Sequence, residues 1–170
     1  MLITTNSGLW RYKIGDTVQF TSLNPFRIIV SGRTKHFINA FGEEVIIDNV
    51  EKAIEKVIKK HKCKIVDYTV APRFMQSGKK GNHDWIIEFS KDPKNMNDFM
   101  LDLDLHIQEN NTDYKAKRFK NITLDKPILH YARKNLFYDW LKSKNKVGGQ
   151  NKIPRLSNDR KFFDELLNLN

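Results

Sequence analysis

"SGRTKHFINAFGEEVIIDNVEKAIEKVIKK", residues 31–60, holds the change of character on which the reading of the chain turns. Asp48 with Glu51 three residues on spells a helix start, Asp48 as the N-cap and Glu51 completing a capping box. Val50, Ala53, Ile54, Val57 and Ile58 then recur at helical spacing and predict one apolar stripe. Lys52, Lys56, Lys59 and Lys60 fall on the opposite, solvated face.

Upstream of this stretch the pattern is all strand. Residues 2–5, 9–14, 17–22 and 26–31 read as short strands, with Asn6-Ser7-Gly8, Gly15-Asp16 and Asn24-Pro25 as turns. Gly15-Asp16 has two readings. One is a plain hairpin turn; the other is a break that lifts a carboxylate out of an apolar strand towards a ligand. Strands this few and short cannot bury a core of their own. The expectation is a chain that begins part-way through a larger protein, with apolar surface exposed on residues 2–30.

Downstream, residues 64–70, 85–89 and 127–131 read as strands. Helices are predicted over 97–107, from near Asp113, over 134–142 and over 159–167, with 146–158 as a Gly-, Asn- and Pro-rich loop. Leu136, Phe137, Trp140 and Leu141 share one helix face, which marks it as core. The expected fold class is α+β (α/β): a small mixed β-sheet flanked by helices, preceded by a few β-strands. Two structural units meet at about residues 32–35.

Bulk properties narrow the function classes. A chain of 170 residues suffices for one domain with a core. No apolar run approaches the roughly 20 residues of a membrane span, and no secretion signal opens the chain, so cytoplasm is the expected location. Cys63, the single cysteine, permits no internal disulfide or multi-cysteine zinc site. The five histidines (His36, His61, His83, His106, His130) show no metal-ligand spacing, and no metal site is expected. The formal charge of +10 is local. Residues 111–161 carry 14 Lys+Arg against 4 Asp+Glu, while the remainder carries 16 of each. Such a stretch suits RNA, nucleotide phosphates or an acidic partner.

Three polar clusters carry a resemblance: Tyr12-Lys13-Ile14-Gly15-Asp16; Gly32-Arg33-Thr34-Lys35 with Phe41-Gly42-Glu43-Glu44-Val45; and Gly148-Gly149-Gln150-Asn151-Lys152-Ile153-Pro154-Arg155. In this order they resemble the adenylate-forming ligases. "TNSGLWRYKIGDTVQF" (5–20), "HDWIIEF" (83–89), "DYKAKR" (113–118) and "GGQNKIPRLSNDR" (148–160) are similar to bacterial members of one branch. That branch is the auxin-responsive-promoter (Gretchen Hagen) family of acyl-acid-amido synthetases. The resemblance implies that residues 1–34 are the terminal strands of a large adenylating domain and 35–170 its C-terminal cap domain.

It also implies roles. Asp16 matches the aspartate that holds the ribose hydroxyls of ATP or the acyl-adenylate, and Arg33 the arginine near the same ribose and phosphate. Lys35 falls at the hinge about which the cap domain turns, in a sequence that departs from the acidic hinge residue of many relatives. Lys152 matches the mobile catalytic lysine, with Lys146 competing for that place. The implied activity is ATP-dependent activation of a carboxylic acid as its acyl-adenylate, then transfer to an amine such as an amino acid. Mg2+ would accompany ATP on ligands outside this chain. The phosphate-binding loop and acyl pocket are missing from the sequence, so the chain alone is expected to be inactive. No membrane or nucleic-acid role is expected on this reading. The competing one is a stand-alone basic α+β module binding RNA or an acidic partner; a third is a non-catalytic remnant docking on a separately encoded large domain.

Overall fold

The computed structural model describes residues 2–33, 37–121, 123–148 and 152–170, with residues 31–33 as backbone only. It begins with two antiparallel ribbons. β1 (Leu2–Ile3) pairs with β2 (Tyr12–Lys13), and β3 (Asp16–Leu23) pairs with β4 (Phe26–Arg33). Gly15 is therefore not a hairpin turn. It stands where the chain leaves one ladder and enters the next, at a φ of 84° that favours glycine. Neither ribbon has enough neighbours to bury its apolar residues: Trp10 is 79% and Phe26 76% exposed, and Phe20, Ile28 and Val30 also face outward.

The rest of the chain packs in three layers. A sheet of β7 (Lys64–Arg73), β8 (Asn82–Lys91) and β9 (Ile128–Tyr131) lies in the middle, in the order β7-β8-β9. β7 and β8 are antiparallel, whereas β8 and β9 run parallel, which makes the sheet mixed. On one face lie α1 (Ile47–His61), α2 (Met96–Asn110) and α3 (Thr112–Arg118), around Tyr68, Val70, Trp85, Ile87 and Phe89. On the other lie α4 (Leu136–Ser143) and α5 (Lys161–Leu169), around Ala71 and Ile86. A small ribbon of β5 (Phe37–Ile38) and β6 (Val45–Ile46) leads into α1. The expected α+β class, with a small mixed sheet flanked by helices, is what the structure shows.

Val50, Ala53, Ile54 and Val57 do form the buried stripe of α1, with Ile58 packed at its edge. The helix start differs from expectation. Ile46 is the N-cap, and its amide donates to Oδ1 of Asn49 at 3.1 Å, so Asp48 lies in the first turn and pairs with Lys52 instead. Glu51 is no capping partner either; it accepts the Tyr68 hydroxyl at 2.8 Å. Of the outer lysines, Lys56 and Lys60 reach across to Glu109 and Asp102 of α2.

Three carboxylates inside the layers govern the packing. Asp84 of β8 is fully buried and accepts from Asn82 Nδ2 and from the guanidinium groups of Arg73 and Arg160, each at 2.9 Å. Asp104 of α2 accepts from Arg118 Nη2 at 2.6 Å and from the Tyr114 hydroxyl at 2.7 Å, which joins α2 to α3. Glu43, in the loop before β6, holds His83 Nε2 at 2.8 Å and the Phe41 amide at 2.6 Å. Burial would raise the Glu43 carboxyl, but the hydrogen bond and charge of His83 hold it below its ordinary value of 4.5.

These groups lend themselves to two measurements. Asp84→Asn strands two guanidinium groups beside a neutral amide and should lower unfolding free energy by about 3 kcal/mol, the low end for breaking a buried pair because both arginines retain some water. Urea titration checks it, and a change under ~0.5 kcal/mol would contradict it. For Glu43, a depressed folded pKa means stability that is complete above about pH 4.5 and is lost as pH falls through the folded value. Glu43→Gln should therefore be less stable than the parent at neutral pH, and the gap should shrink as acid unfolding is tracked below that point.

Candidate functional site

The polar clusters occupy different parts of the fold. Asp16, half-buried, opens β3 and is the cross-strand partner of Arg33 at the end of β4. The antiparallel ladder thus brings these two positions opposite each other, at the end of the ribbon from which the chain enters the three-layer unit. An ionised carboxylate at a strand end can accept two hydroxyl protons in charge-assisted bonds. Lys35 lies outside the described residues.

Lys152 belongs to the three-layer unit and is exposed. Residues 153–157, next in the chain, are firmly held. Ile153 is buried against the α4–α5 face and Leu156 against the α1–α3 face, so the segment wraps around the outer edge of β7. Backbone bonds fix it there: the Val70 amide donates to Arg155 O at 2.9 Å and the Ser157 amide to Val70 O at 3.2 Å. The Thr69 hydroxyl donates to Pro154 O at 2.7 Å. Arg155 lies 5.1 Å from the Tyr68 ring centroid and pairs with Glu51. A flexible ammonium stem is thus mounted directly before an anchored segment. Asn158 then ties this segment to β5, its Oδ1 accepting from the Asn39 amide at 2.7 Å and its Nδ2 donating to Phe37 O at 3.0 Å.

Lys146 has a different setting. Asn145 takes a left-handed φ of 54°, its amide donates to Lys142 O, and the Lys146 amide donates to Leu141 O. That is a Schellman closure of α4, so the Lys146 backbone is engaged in ending a helix.

The basic stretch 111–161 also looks different once folded. Arg118, Lys144, Arg155 and Arg160 find carboxylates outside it, on Asp104, Glu165, Glu51 and Asp84, and Arg133 pairs with Asp139. Tyr114, Phe137 and Trp140 are core residues, while Phe119, Tyr131 and Tyr138 stay at the surface. A continuous aromatic platform for bases does not result.

Sequence reasoning assigned no role to Glu43, His83, Asp84 or Asn158. The signal for Asp84 was present: an acid inside "NHDWIIEF", a run buried from Asn82 to Phe89. Glu43 meets the His83 side chain and Asn158 the backbone of Phe37 and Asn39, partners brought close only by folding, and no local pattern marks them.

Comparison with known proteins agrees with this architecture. Residues 48–161 match the GH3 family C-terminal domain and residues 1–33 the GH3 family central domain. A solved structure described as AtGH3.15 acyl acid amido synthetase in complex with 2,4-DB superposes with a TM-score of 0.74 at 19% identity, covering 98% of this chain and 32% of that one. Another, GH3.15 acyl acid amido synthetase, gives 0.73 at 20% identity, covering 99% of this chain and 31% of that one. No curated protein matches the chain. The present chain thus spans about a third of the length of these solved relatives. With the greater part of its length matching that C-terminal domain, the chain belongs to the GH3 family.

Proposed function

We propose that the chain is the C-terminal part of an ATP-dependent acyl-acid amide synthetase. Residues 1–34 would complete a large adenylating domain and 35–170 form its cap. The observation that carries this reading is the family match at both ends of the chain, combined with an exposed Lys152 mounted on an anchored segment. Carboxylic acid and ATP would combine first: an acid oxygen attacks the α-phosphorus, pyrophosphate leaves, and an acyl-adenylate remains. An amine then attacks the acyl carbon, loses a proton, and expels AMP.

In the first step Lys152 supplies a point charge that stabilises the α-phosphate and incoming carboxylate as negative charge gathers between them. Asp16 holds the ribose hydroxyls, with Arg33 beside the same ribose and phosphate. Lys35 serves as the pivot between two orientations of the cap. Mg2+ would accompany ATP on ligands of the large domain. Among the described residues no helix is long and apolar enough to cross a membrane. The apolar side chains exposed on β1–β4 would meet the remainder of the large domain, which would also supply the phosphate-binding loop and acyl pocket.

Two variants test the roles, in a protein that joins this chain to a complete GH3 adenylating domain. Lys152→Ala should cut ATP–pyrophosphate exchange by about 10²–10³, the scale of losing one transition-state contact, yet leave transfer from preformed acyl-adenylate near normal. Lys146→Ala should leave both unchanged; the opposite pattern would move the role to Lys146. Asp16→Ala should weaken binding of a non-hydrolysable adenylate mimic by roughly 1.5–3 kcal/mol for each charged hydrogen bond lost. Unaltered affinity would remove Asp16 from the ribose.

A further inference from the structure

The segment after Lys152 is bound to two different parts of the fold, and the two attachments differ in kind. Residues 153–157 are held to β7 by packing and by backbone bonds. Asn158 alone among the described residues reaches the β5 backbone from this segment, through a donor and an acceptor on one amide. β5 begins at Phe37, two positions after Lys35 in the chain. One planar amide bonded to both Phe37 O and the Asn39 amide imitates a strand partner, so it fixes β5 in distance and in direction. The same ribbon is pinned independently on its far side. The Glu43 carboxylate holds the Phe41 amide, and the Phe41 ring packs where a Cβ on Gly81 would come within 2.4 Å.

We infer that Asn158 is a positioning residue, coupling the β5 entry strand to the segment that presents Lys152. This rests on the proposed role of Lys152. A chain that enters through β5 and a lysine mounted on the β7 edge must keep a fixed offset if the lysine is to arrive at the α-phosphate whenever the unit turns. Packing of Ile153 and Leu156 sets the segment against the sheet, and Asn158 adds the direct polar tie between that segment and the β5 backbone. Loss of that amide leaves the fold intact and lets the offset vary, and a misplacement of about 1 Å can cost up to ~10²-fold in rate.

Asn158→Ala is tested in two settings. In the 170-residue chain, hydrogen exchange should speed up at residues 37–39 while β7 and β8 keep their protection. In the protein joined to a complete GH3 adenylating domain, ATP–pyrophosphate exchange should fall about tenfold, with transfer from preformed acyl-adenylate unchanged. An ordinary loss of stability would lower both half-reactions together, and that result would overturn the inference, as would unchanged protection at 37–39. Lys152→Ala is the control. If it abolishes exchange while Asn158→Ala exchanges at the full rate, the coupling is wrong and the lysine's role stands. If Lys152→Ala exchanges normally, the role fails and the coupling falls with it.

Discussion

The three-layer unit depends on a carboxylate in its centre. Asp84 sits on the middle strand with no exposure to water, and its charge is met by Arg73 from the neighbouring strand and Arg160 from just before the last helix. An isolated buried charge would cost several kcal/mol, so the arginines must be present for the strand to be buried at all. Because Arg160 also donates to Pro72 O and pairs with Asp164, the ion cluster fixes where α5 starts. A purely apolar strand would bind its neighbours without saying which part of the chain must come back to it. Asp84 makes the return of residue 160 a condition of folding, and that return draws the 152–158 segment along the edge of the sheet.

The same logic recurs on the opposite face. Asp104 gathers Arg118 and Tyr114, four residues apart on α3, so one side of that short helix is fixed by a single carboxylate on α2. Burial alone would depress the Arg118 charge, but Asp104 more than offsets it and keeps the guanidinium firmly protonated. The net charge of the C-terminal stretch is therefore partly a consequence of chain order. Its arginines stand out as positive in sequence because the acids that meet most of them lie earlier in the chain.

How much could be read without the fold depends on what each signal is made of. The α1 stripe, the α4 face and the two long strands rest on periodicity, a local property, and they were legible. The α1 start was not, because the N-cap falls on the apolar Ile46, whose amide is met by Asn49, a side chain that also donates to Asn110 O at the end of α2. Gly15-Asp16 looked like a turn because glycine and aspartate favour turns; that β2 and β3 join different ladders is a matter of long-range pairing. The ranges of β1 and β2 shrank to two residues each for the same reason. The roles proposed for Lys152 and Asp16 rest on resemblance and not on any pattern within the residues themselves. Asn158 was invisible, since its partners stand 119 and 121 positions away.

The segment after Lys152 has one more consequence. Without residues 155–157, the outer side of the ten-residue β7 would present unpaired amides and carbonyls from alternate residues, Val70 among them, a template on which another molecule could add a strand. The Val70–Leu156 bridge closes the middle of that row. The piece of chain that presents the lysine is thereby a guard against edge-to-edge aggregation. Exchange of Lys152 itself would leave that cover in place, whereas shortening or loosening the residues behind it would bare the edge.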